Sequence, residues 1–270
     1  MIPTMFEKNK SYGLTPGEAA KMEMATSLAM LSSGAITAFW LMLHIISDAT
    51  ALHACRTELL DLVVTNKGEE SIKVVDLSLT RAKCPTLLAF FHETLRHHST
   101  VISIKKIQHD TTLTFSSSHS QSQQLYHLKK DAILMIPGTA VHHDPGVWGL
   151  RATTFDHQRF LAPDGGQKKL LSYTSAYRPF GAGATMCPGR HFSTATILSL
   201  AAMVLLRFDF EPVGAEGESG WRMPATENAD LWNAMPKPDW DVLVRVRPKK
   251  GDENVEWRFV WGKGEISDKT

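Results

Sequence analysis

Apolar and polar positions follow a helical period through much of the first hundred residues. Thr15 to Glu18 has the residues of a helix start: Thr15 as N-cap, Pro16 in the first turn and Glu18 completing a capping box. The stretch 24–47 that follows contains no Asp, Glu, Lys or Arg. We therefore predict one unusually long helix that begins at Thr15 and ends near residue 47.

Further elements follow along the chain. Asp48 is expected to cap a second helix, and a third begins near Pro85. Residues 74–77 are interpreted as a short connector. From Val101 the apolar period changes from about 3.6 to about 2, which predicts strands. The expected strands are 101–107, 111–115, 132–136, 208–212 and 242–246, and a last long helix is expected over 189–206. Without an internal repeat or a clear linker, residues 1–270 are predicted to form a single, mainly α unit with small β-sheets.

The uncharged stretch 24–47 has a second interpretation. Its length is sufficient to cross a bilayer, but Ser, Thr, Gly and His residues dilute its apolar character. A helix that is apolar on every side is either a core helix of a large domain or a membrane span. We expect the core helix, and association with a membrane stays open.

Charge and cysteine content exclude several classes of protein. The 29 Lys and Arg residues against 28 Asp and Glu residues leave a net charge of +1, so no nucleic-acid partner is expected. Hydrophobic residues make up 43% of the chain, which is typical of a globular protein. The three cysteines, Cys55, Cys84 and Cys187, include no CxxC pair and are too few for a disulfide framework. A reducing environment is expected, in which any of them can be a free thiolate.

The segment 179–192, PFGAGATMCPGRHF, carries the strongest chemical signal. Gly181 and Gly183 allow the backbone to approach a flat ligand closely, and Cys187 lies just before a predicted helix N-terminus. Such a position stabilises a thiolate, and an anionic sulfur is a ligand for iron. The alternative is a buried cysteine at a glycine-rich helix start.

Two further segments carry charges among aromatic residues. Glu93 and Arg96 in FFHETLR share one helix face, either as a buried pair with additional partners or as a solvated pair. Arg159 in TFDHQRFL lies between Phe155 and Phe160, where it covers a charged cluster or is an ordinary surface arginine.

Together these segments resemble the cytochrome P450 family over essentially the whole chain. Phe180-x-x-Gly183-x-x-x-Cys187-x-Gly189-Arg190 is similar to the family's cysteine-ligand loop. Glu93-x-x-Arg96 is similar to its upstream Glu/Arg motif, and Arg159 to the arginine of its meander, with His157 in place of the usual proline. Within the family, Thr185, residues 38–40 and the CPGR form resemble the cholesterol 7-alpha-hydroxylase and prostacyclin synthase group and its fungal relatives.

The resemblance implies a haem b cofactor with Cys187 as axial thiolate. It also implies that Phe180 packs beside the sulfur, that Gly181 and Gly183 shape the loop, and that N–H groups around Gly189 donate to the sulfur. Thr185 replaces the arginine that usually binds a haem propionate, and Lys105 is expected to supply a charge instead. Glu93, Arg96 and Arg159 are expected to cluster behind the loop, and His97 and His98 are not expected to bind iron.

The implied function is a monooxygenase that inserts one oxygen atom from dioxygen into an apolar substrate, such as a sterol or another lipid. The expected partner is an NADPH-dependent reductase. For eukaryotic relatives, the endoplasmic reticulum membrane is the expected location, and the first residues of this sequence are not expected to form the N-terminal anchor of those relatives. The activity of this chain is nevertheless open, for two reasons.

One reason is the long helix, which lacks the family's acid or amide followed by threonine. Ser33 and Thr37 are weak candidates for the oxygen-side proton relay, so an isomerase that rearranges a peroxide without external electrons is an alternative. The other reason is that the chain resembles only the C-terminal, haem-binding part of the fold. A truncated chain is expected to expose the apolar helix face around Leu41 and Ile45. The corresponding alternative is an inactive haem-binding or structural fragment.

Overall fold

A computed structural model describes residues 2–65, 72–116, 123–166, 175–183, 186–214, 220–229 and 233–262. Its α-helices are α1 (Ile2–Ser11), α2 (Pro16–Ile46), α3 (Ala49–Leu60), α4 (Thr80–Lys83), α5 (Pro85–His98), α6 (Gly138–His142), α7 (Pro145–Trp148) and α8 (Arg190–Arg207). Short 3-10 helices cover Leu77–Leu79 and His157–Phe160. Its strands are β1 (Val63–Thr65), β2 (Ile72–Asp76), β3 (Ile102–Lys106), β4 (Thr111–Ser116), β5 (Gln123–Leu128), β6 (Ile133–Pro137), β7 (Phe208–Pro212), β8 (Val244–Pro248) and β9 (Glu256–Val260). The prediction of a mainly helical chain with small sheets is confirmed.

The predicted helix starts are confirmed in atomic detail. The Glu18 N–H donates to Thr15 Oγ1 over 3.4 Å, and the Thr15 N–H donates to the Glu18 carboxylate over 2.8 Å. This is the capping box that begins α2. Asp48 Oδ1 accepts the N–H groups of Thr50 and Ala51 and so caps α3.

The second half of α2 forms the centre of the main hydrophobic core, where it packs against α3, α5 and α8. Leu41 and Ile45 are 0% exposed, so the expectation that their helix face is exposed is wrong. The neighbouring helices within this chain already cover that face. The exposed apolar side chains of α2 lie in its first half instead, where Met24 is 71% and Leu28 67% exposed.

α2 is also long and apolar enough to cross a membrane by length and composition. Core helices of soluble proteins and signal sequences meet the same criteria. Of its most apolar window, 44% is buried inside the protein. The interpretation as a core helix therefore holds for the second half of α2.

The sheets are small. β3 pairs with β6, β4 with β5 and β7 with β8, all antiparallel, whereas β2 lies between antiparallel β1 and parallel β9. The prediction of a connector over residues 74–77 is wrong for its first three residues, because β2 extends to Asp76. β2 pairs with β9 across some 180 residues of chain, in the register Val74 to Arg258. Local periodicity contains no signal for a partner so distant in sequence.

Candidate functional site

The loop before α8 is held by its own backbone hydrogen bonds. The Cys187 N–H donates to the Phe180 carbonyl over 2.9 Å, and the Gly181 N–H donates to the Arg178 carbonyl over 3.0 Å. Gly181 and Gly183 have φ values of +77° and +69°, in the left-handed region that favours glycine. The two glycines therefore permit the turns that bring Cys187 back beside Phe180.

Cys187 lies directly before α8 and is half-buried. Its carbonyl accepts a hydrogen bond from Arg190 Nη1 over 3.1 Å, which joins the loop to the first helical residue. A Cβ atom added to Gly189 would lie 3.8 Å from Cys187 Sγ, so the backbone at Gly189 passes beside the sulfur. The expected N–H donation to the sulfur stays a prediction.

A cavity of about 330 Å³ separates the cysteine loop from α2. Its described lining comes from α2, the end of α5, the start of β3, the cysteine loop, α8 and the 234–235 segment: Ala29, Ser33, Gly34, Thr37, Leu95, Val101, Ile102, Ser103, Ile104, Pro179, Phe180, Gly181, Cys187, Ser193, Ile197, Ala234 and Met235. Small α2 residues face the loop across this space. The lining suits a largely apolar ligand between the helix and the cysteine.

The donor set of the cavity fits haem. Among the described lining residues, Cys187 is the only thiol, imidazole or carboxylate. The described part of the chain also contains no cluster of three His, Cys, Asp or Glu residues able to hold a metal ion. A metal ion bound to Cys187 would therefore take its remaining donor atoms from the bound cofactor, as a porphyrin provides them.

The two candidate relay hydroxyls line the cavity on α2. Thr37 Oγ1 donates to the Ser33 carbonyl over 2.7 Å, one turn earlier in the helix. This hydrogen bond uses the proton of the Thr37 hydroxyl but leaves the hydroxyl oxygen able to accept a hydrogen bond. Ser33 lies on the same face and closer to the exposed half of α2.

Lys105 lies on β3, half-buried against the glycine turn of the cysteine loop. Its Nζ atom is 3.5 Å from the Ala182 carbonyl oxygen, between Gly181 and Gly183 in sequence. The positively charged Lys105 ammonium thus lies at the edge of the loop. Thr185, the position of the expected departure from the family, lies outside the described residues.

Glu93 and Arg96 are both completely buried on α5 and form a two-pronged ion pair. Arg96 Nε and Nη2 each donate to one Glu93 oxygen over 2.7 Å. Arg96 also donates to three backbone carbonyls, those of His142, Ala152 and Thr154, over 2.6, 2.7 and 3.2 Å. These carbonyls belong to the 142–154 segment around α7, which the arginine thereby ties to α5.

Arg159 lies beside this pair. Its Nε atom is 3.6 Å from Glu93 Oε1, and its side chain is 12% exposed. Its Nη atoms donate to the Trp148 and Arg151 carbonyls over 2.7 and 2.6 Å. The structure thus brings Glu93, Arg96 and Arg159 together, away from solvent. His157, which stands where the family usually has proline, stacks on Phe90 at 4.0 Å.

Burial and charge act in opposite directions on the Glu93 carboxyl. Burial raises its pKa, whereas Arg96, the Asp156 N–H and Arg159 favour the charged form. The Asp156 N–H donates to Glu93 Oε1 over 2.7 Å. Every oxygen of the carboxylate therefore has a donor, as a buried charge requires.

Sequence reasoning missed several buried partners. His142 is fully buried, and its Nε2 atom accepts the Arg178 N–H over 2.9 Å. Tyr177 is hydrogen-bonded to His92 Nδ1 over 2.8 Å. No spacing in the sequence marks these contacts, because each joins segments far apart in the chain. His97 and His98 are half-buried in an aromatic cluster with His44 and Phe155 and are not among the described residues lining the cavity.

Known proteins are similar in sequence to this chain. The family model for cytochrome P450 matches residues 7–220. The cytochrome P450 monooxygenase nodJ from Hypoxylon pulicicidum is 32% identical over 94% of this chain and 48% of its own length. Cytochrome P450 7A1 from Sus scrofa is 26% identical over 87% of the chain and 46% of its own length. Prostacyclin synthase from Rattus norvegicus is 26% identical over 79% of the chain and 42% of its own length.

These matches confirm the resemblance, including the similarity to fungal members and to the 7A1 and prostacyclin synthase group. The chain spans about half the length of these relatives. The cofactor common to the family is a haem whose iron is bound by a cysteine thiolate. This chain belongs to the cytochrome P450 family.

Proposed function

We propose that this chain is the haem-binding part of a haem-thiolate monooxygenase and that Cys187 is the axial ligand. The observation that carries the proposal is the position of Cys187. It is the one thiol in the described lining of a cavity whose opposite wall is formed by small residues of α2, namely Ala29, Ser33, Gly34 and Thr37. The other sulfur in the described lining, the thioether of Met235, is uncharged and cannot supply the thiolate that this kind of site requires.

The residues around the cavity have separable roles in this proposal. Phe180 and the turns at Gly181 and Gly183 hold the cysteine loop open toward the cavity, while the Arg190 bond to the Cys187 carbonyl fixes the loop to α8. Lys105 supplies a positive charge for a haem propionate. Haem, when bound, supplies the iron chemistry that activates dioxygen, and the protein sets the axial ligand and the burial.

The buried cluster of Glu93, Arg96 and Arg159 has a structural role. Glu93 and Arg96 tie α5 to the backbone of the 142–154 segment, and Arg159 adds the carbonyls of residues 148 and 151. Since these groups do not line the cavity among the described residues, they shape the protein behind the cysteine loop and do not touch a substrate.

The proposed substrate is an apolar molecule such as a sterol or another lipid. Leu95, Val101, Ile102 and Ile197 give the cavity apolar walls, and no charged side chain is among its described lining residues. An NADPH-dependent reductase is the proposed electron donor, and the endoplasmic reticulum membrane is the proposed location. Other relatives of this chain are named as 12-alpha-hydroxylases of a cholestane diol and of 7-alpha-hydroxycholest-4-en-3-one, which supports a sterol-like substrate class.

A second candidate function is the rearrangement of a peroxide without external electrons. It is favoured by the α2 wall, where Thr37 donates its proton to the Ser33 carbonyl and no carboxylate is among the described lining residues. A reaction that needs no proton delivery to dioxygen is compatible with such a wall.

The test of the proposed function is the ferrous carbon-monoxide difference spectrum of the full chain reconstituted with haem. A strongly red-shifted Soret band is expected for the wild type and its loss for Cys187→Ser. Cys55→Ser is the matched control and should keep the band, since Cys55 is buried on α3 and is not among the described residues lining the cavity. A wild-type spectrum without thiolate character would leave only the inactive fragment.

Substrate turnover then separates the two activities. Product formation that requires both NADPH and a reductase supports the monooxygenase. Peroxide consumption at the same rate without NADPH supports the isomerase instead.

A further inference from the structure

His142, the last residue of α6, contacts both the buried ion cluster and the start of the cysteine loop. Its backbone carbonyl accepts a hydrogen bond from Arg96 Nη1 over 2.6 Å. Its ring Nε2 accepts the backbone N–H of Arg178 over 2.9 Å. Arg178 directly precedes Pro179 and Phe180, where the loop toward Cys187 begins. One fully buried residue thus joins two parts of the site that lie far apart in sequence.

The ring of His142 has one tautomer and one charge state that allow this bond. Nε2 must lack a proton to accept the Arg178 N–H, so the proton of the neutral ring is on Nδ1. Burial, aided by Arg96, His143 and Arg178, lowers the pKa of His142 to about 4, which keeps the ring neutral near pH 7. Within the described residues Nδ1 has no hydrogen-bond partner. A buried N–H without a hydrogen-bond partner costs free energy. The ring keeps this orientation because Nε2 then accepts the Arg178 N–H.

The bond at Arg178 continues into the loop. The Arg178 carbonyl accepts the Gly181 N–H over 3.0 Å, and the Phe180 carbonyl accepts the Cys187 N–H over 2.9 Å. A short series of hydrogen bonds and chain links therefore leads from His142 to the cysteine. Each link restricts the backbone position of the next.

We propose that His142 is a positioning residue for Cys187, which it holds at the cavity by fastening Arg178 to the Glu93–Arg96 cluster. The role of Cys187 as axial ligand is taken from the proposed function. The position of the loop itself does not depend on that role, so the two claims can fail separately.

The first measurement is amide hydrogen exchange of the full chain without haem, in the peptide covering residues 176–183. His142→Leu removes the acceptor at similar volume, and exchange should become about tenfold faster, the usual effect of one lost hydrogen bond with its exposed partner. His142→Gln places a carbonyl oxygen near the position of Nε2 and should restore exchange to within about twofold of the wild type.

His98→Leu is the matched control. His98 is a half-buried histidine on α5 whose Nε2 lies 2.9 Å from His44 Nε2, and within the described residues it has no hydrogen bond to the cysteine loop. This variant loses a ring and its hydrogen bond away from the loop, so its thermal stability should fall, as in His142→Leu. Exchange over residues 176–183 should nevertheless stay at the wild-type rate.

The second measurement is made with haem bound. The fraction of ferrous carbon-monoxide complex with thiolate character should fall severalfold in His142→Leu, recover in His142→Gln and stay unchanged in His98→Leu. Equal loop exchange in wild type and His142→Leu would overturn the proposal, as would equal acceleration in both leucine variants. If wild-type haem lacks thiolate character while the exchange results hold, the proposed function fails and the positioning role stands.

Discussion

The carboxylate of Glu93 and the guanidinium of Arg96 form a two-pronged ion pair on α5 that is entirely shielded from solvent. Three backbone carbonyls and one backbone N–H complete their hydrogen bonds. A buried pair of this kind contributes little by itself to stability, but removal of one partner leaves the other charge buried and unpaired. The pair therefore holds the 142–156 segment against α5.

Glu93→Gln is expected to destabilise the chain by about 3–5 kcal/mol, because it leaves the Arg96 charge buried without its counter-ion. The measurement is the free energy of unfolding in urea. Glu256→Gln is the control, since Glu256 forms an exposed pair with Arg258 at 2.7 Å. That change should alter the free energy by less than about 1 kcal/mol. Similar values for both variants would contradict the role assigned to the buried pair.

Stability should fall as the pH is lowered from about 6.5 toward 4. Burial lowers the pKa of His44 to about 3 and that of His92 and His97 to about 4. In the unfolded chain these rings bind protons near pH 6.5, whereas the folded chain keeps them neutral. The unfolded state thus takes up more protons as the pH falls, and the free energy of unfolding should decrease by about 1.4 kcal/mol per pH unit for each ring.

Urea unfolding at a series of pH values between 7.5 and 5 measures this slope. His44→Phe should reduce the slope of the unfolding free energy against pH by the contribution of one titrating ring. Phenylalanine is chosen because it can keep the stacking on Phe155 at 3.6 Å. His53→Gln, at an exposed position on α3, should leave the slope as in the wild type. A flat profile over this range would refute the prediction.

Gly183→Ala should destabilise the cysteine loop by about 1–2 kcal/mol. Gly183 has φ +69° and no heavy atom within 4 Å of an added Cβ, so the cost comes from the backbone conformation and not from a clash. The alkylation rate of Cys187 in the chain without haem reports the opening of the loop and should increase. Gly17→Ala, in the first turn of α2 with similar free space, should stabilise the chain slightly or leave it unchanged.

Lys105→Met should weaken haem binding about tenfold if the ammonium pairs with a propionate, because a charge-assisted hydrogen bond is lost. Lys105→Arg keeps the charge and should bind haem as well as the wild type. The adjacent Lys106→Met is the control, since Lys106 is exposed and paired with Asp131 at 2.8 Å. The rate of haem transfer to excess apomyoglobin is the readout, and equal rates for both methionine variants would remove Lys105 from the haem site.

Local sequence determined the elements whose causes are local. The capping box at Thr15 and the cap at Asp48 start α2 and α3 where predicted, since each cap needs only residues two or three positions apart. Alternation of apolar residues likewise predicted β3 and β4, and the cysteine loop together with the Glu93/Arg96 and Arg159 segments indicated the family.

Only the tertiary structure decided which distant groups meet. The burial of Leu41 depends on helices elsewhere in the chain, β2 finds β9, and Arg96 binds carbonyls near residues 142–154. Every residue has a backbone carbonyl and every residue except proline has an N–H, so these groups leave no mark in the sequence. The partners of Arg96 and His142 could therefore not be predicted. Packing selects these partners because a buried charge or ring nitrogen must find a hydrogen bond wherever the fold brings one near.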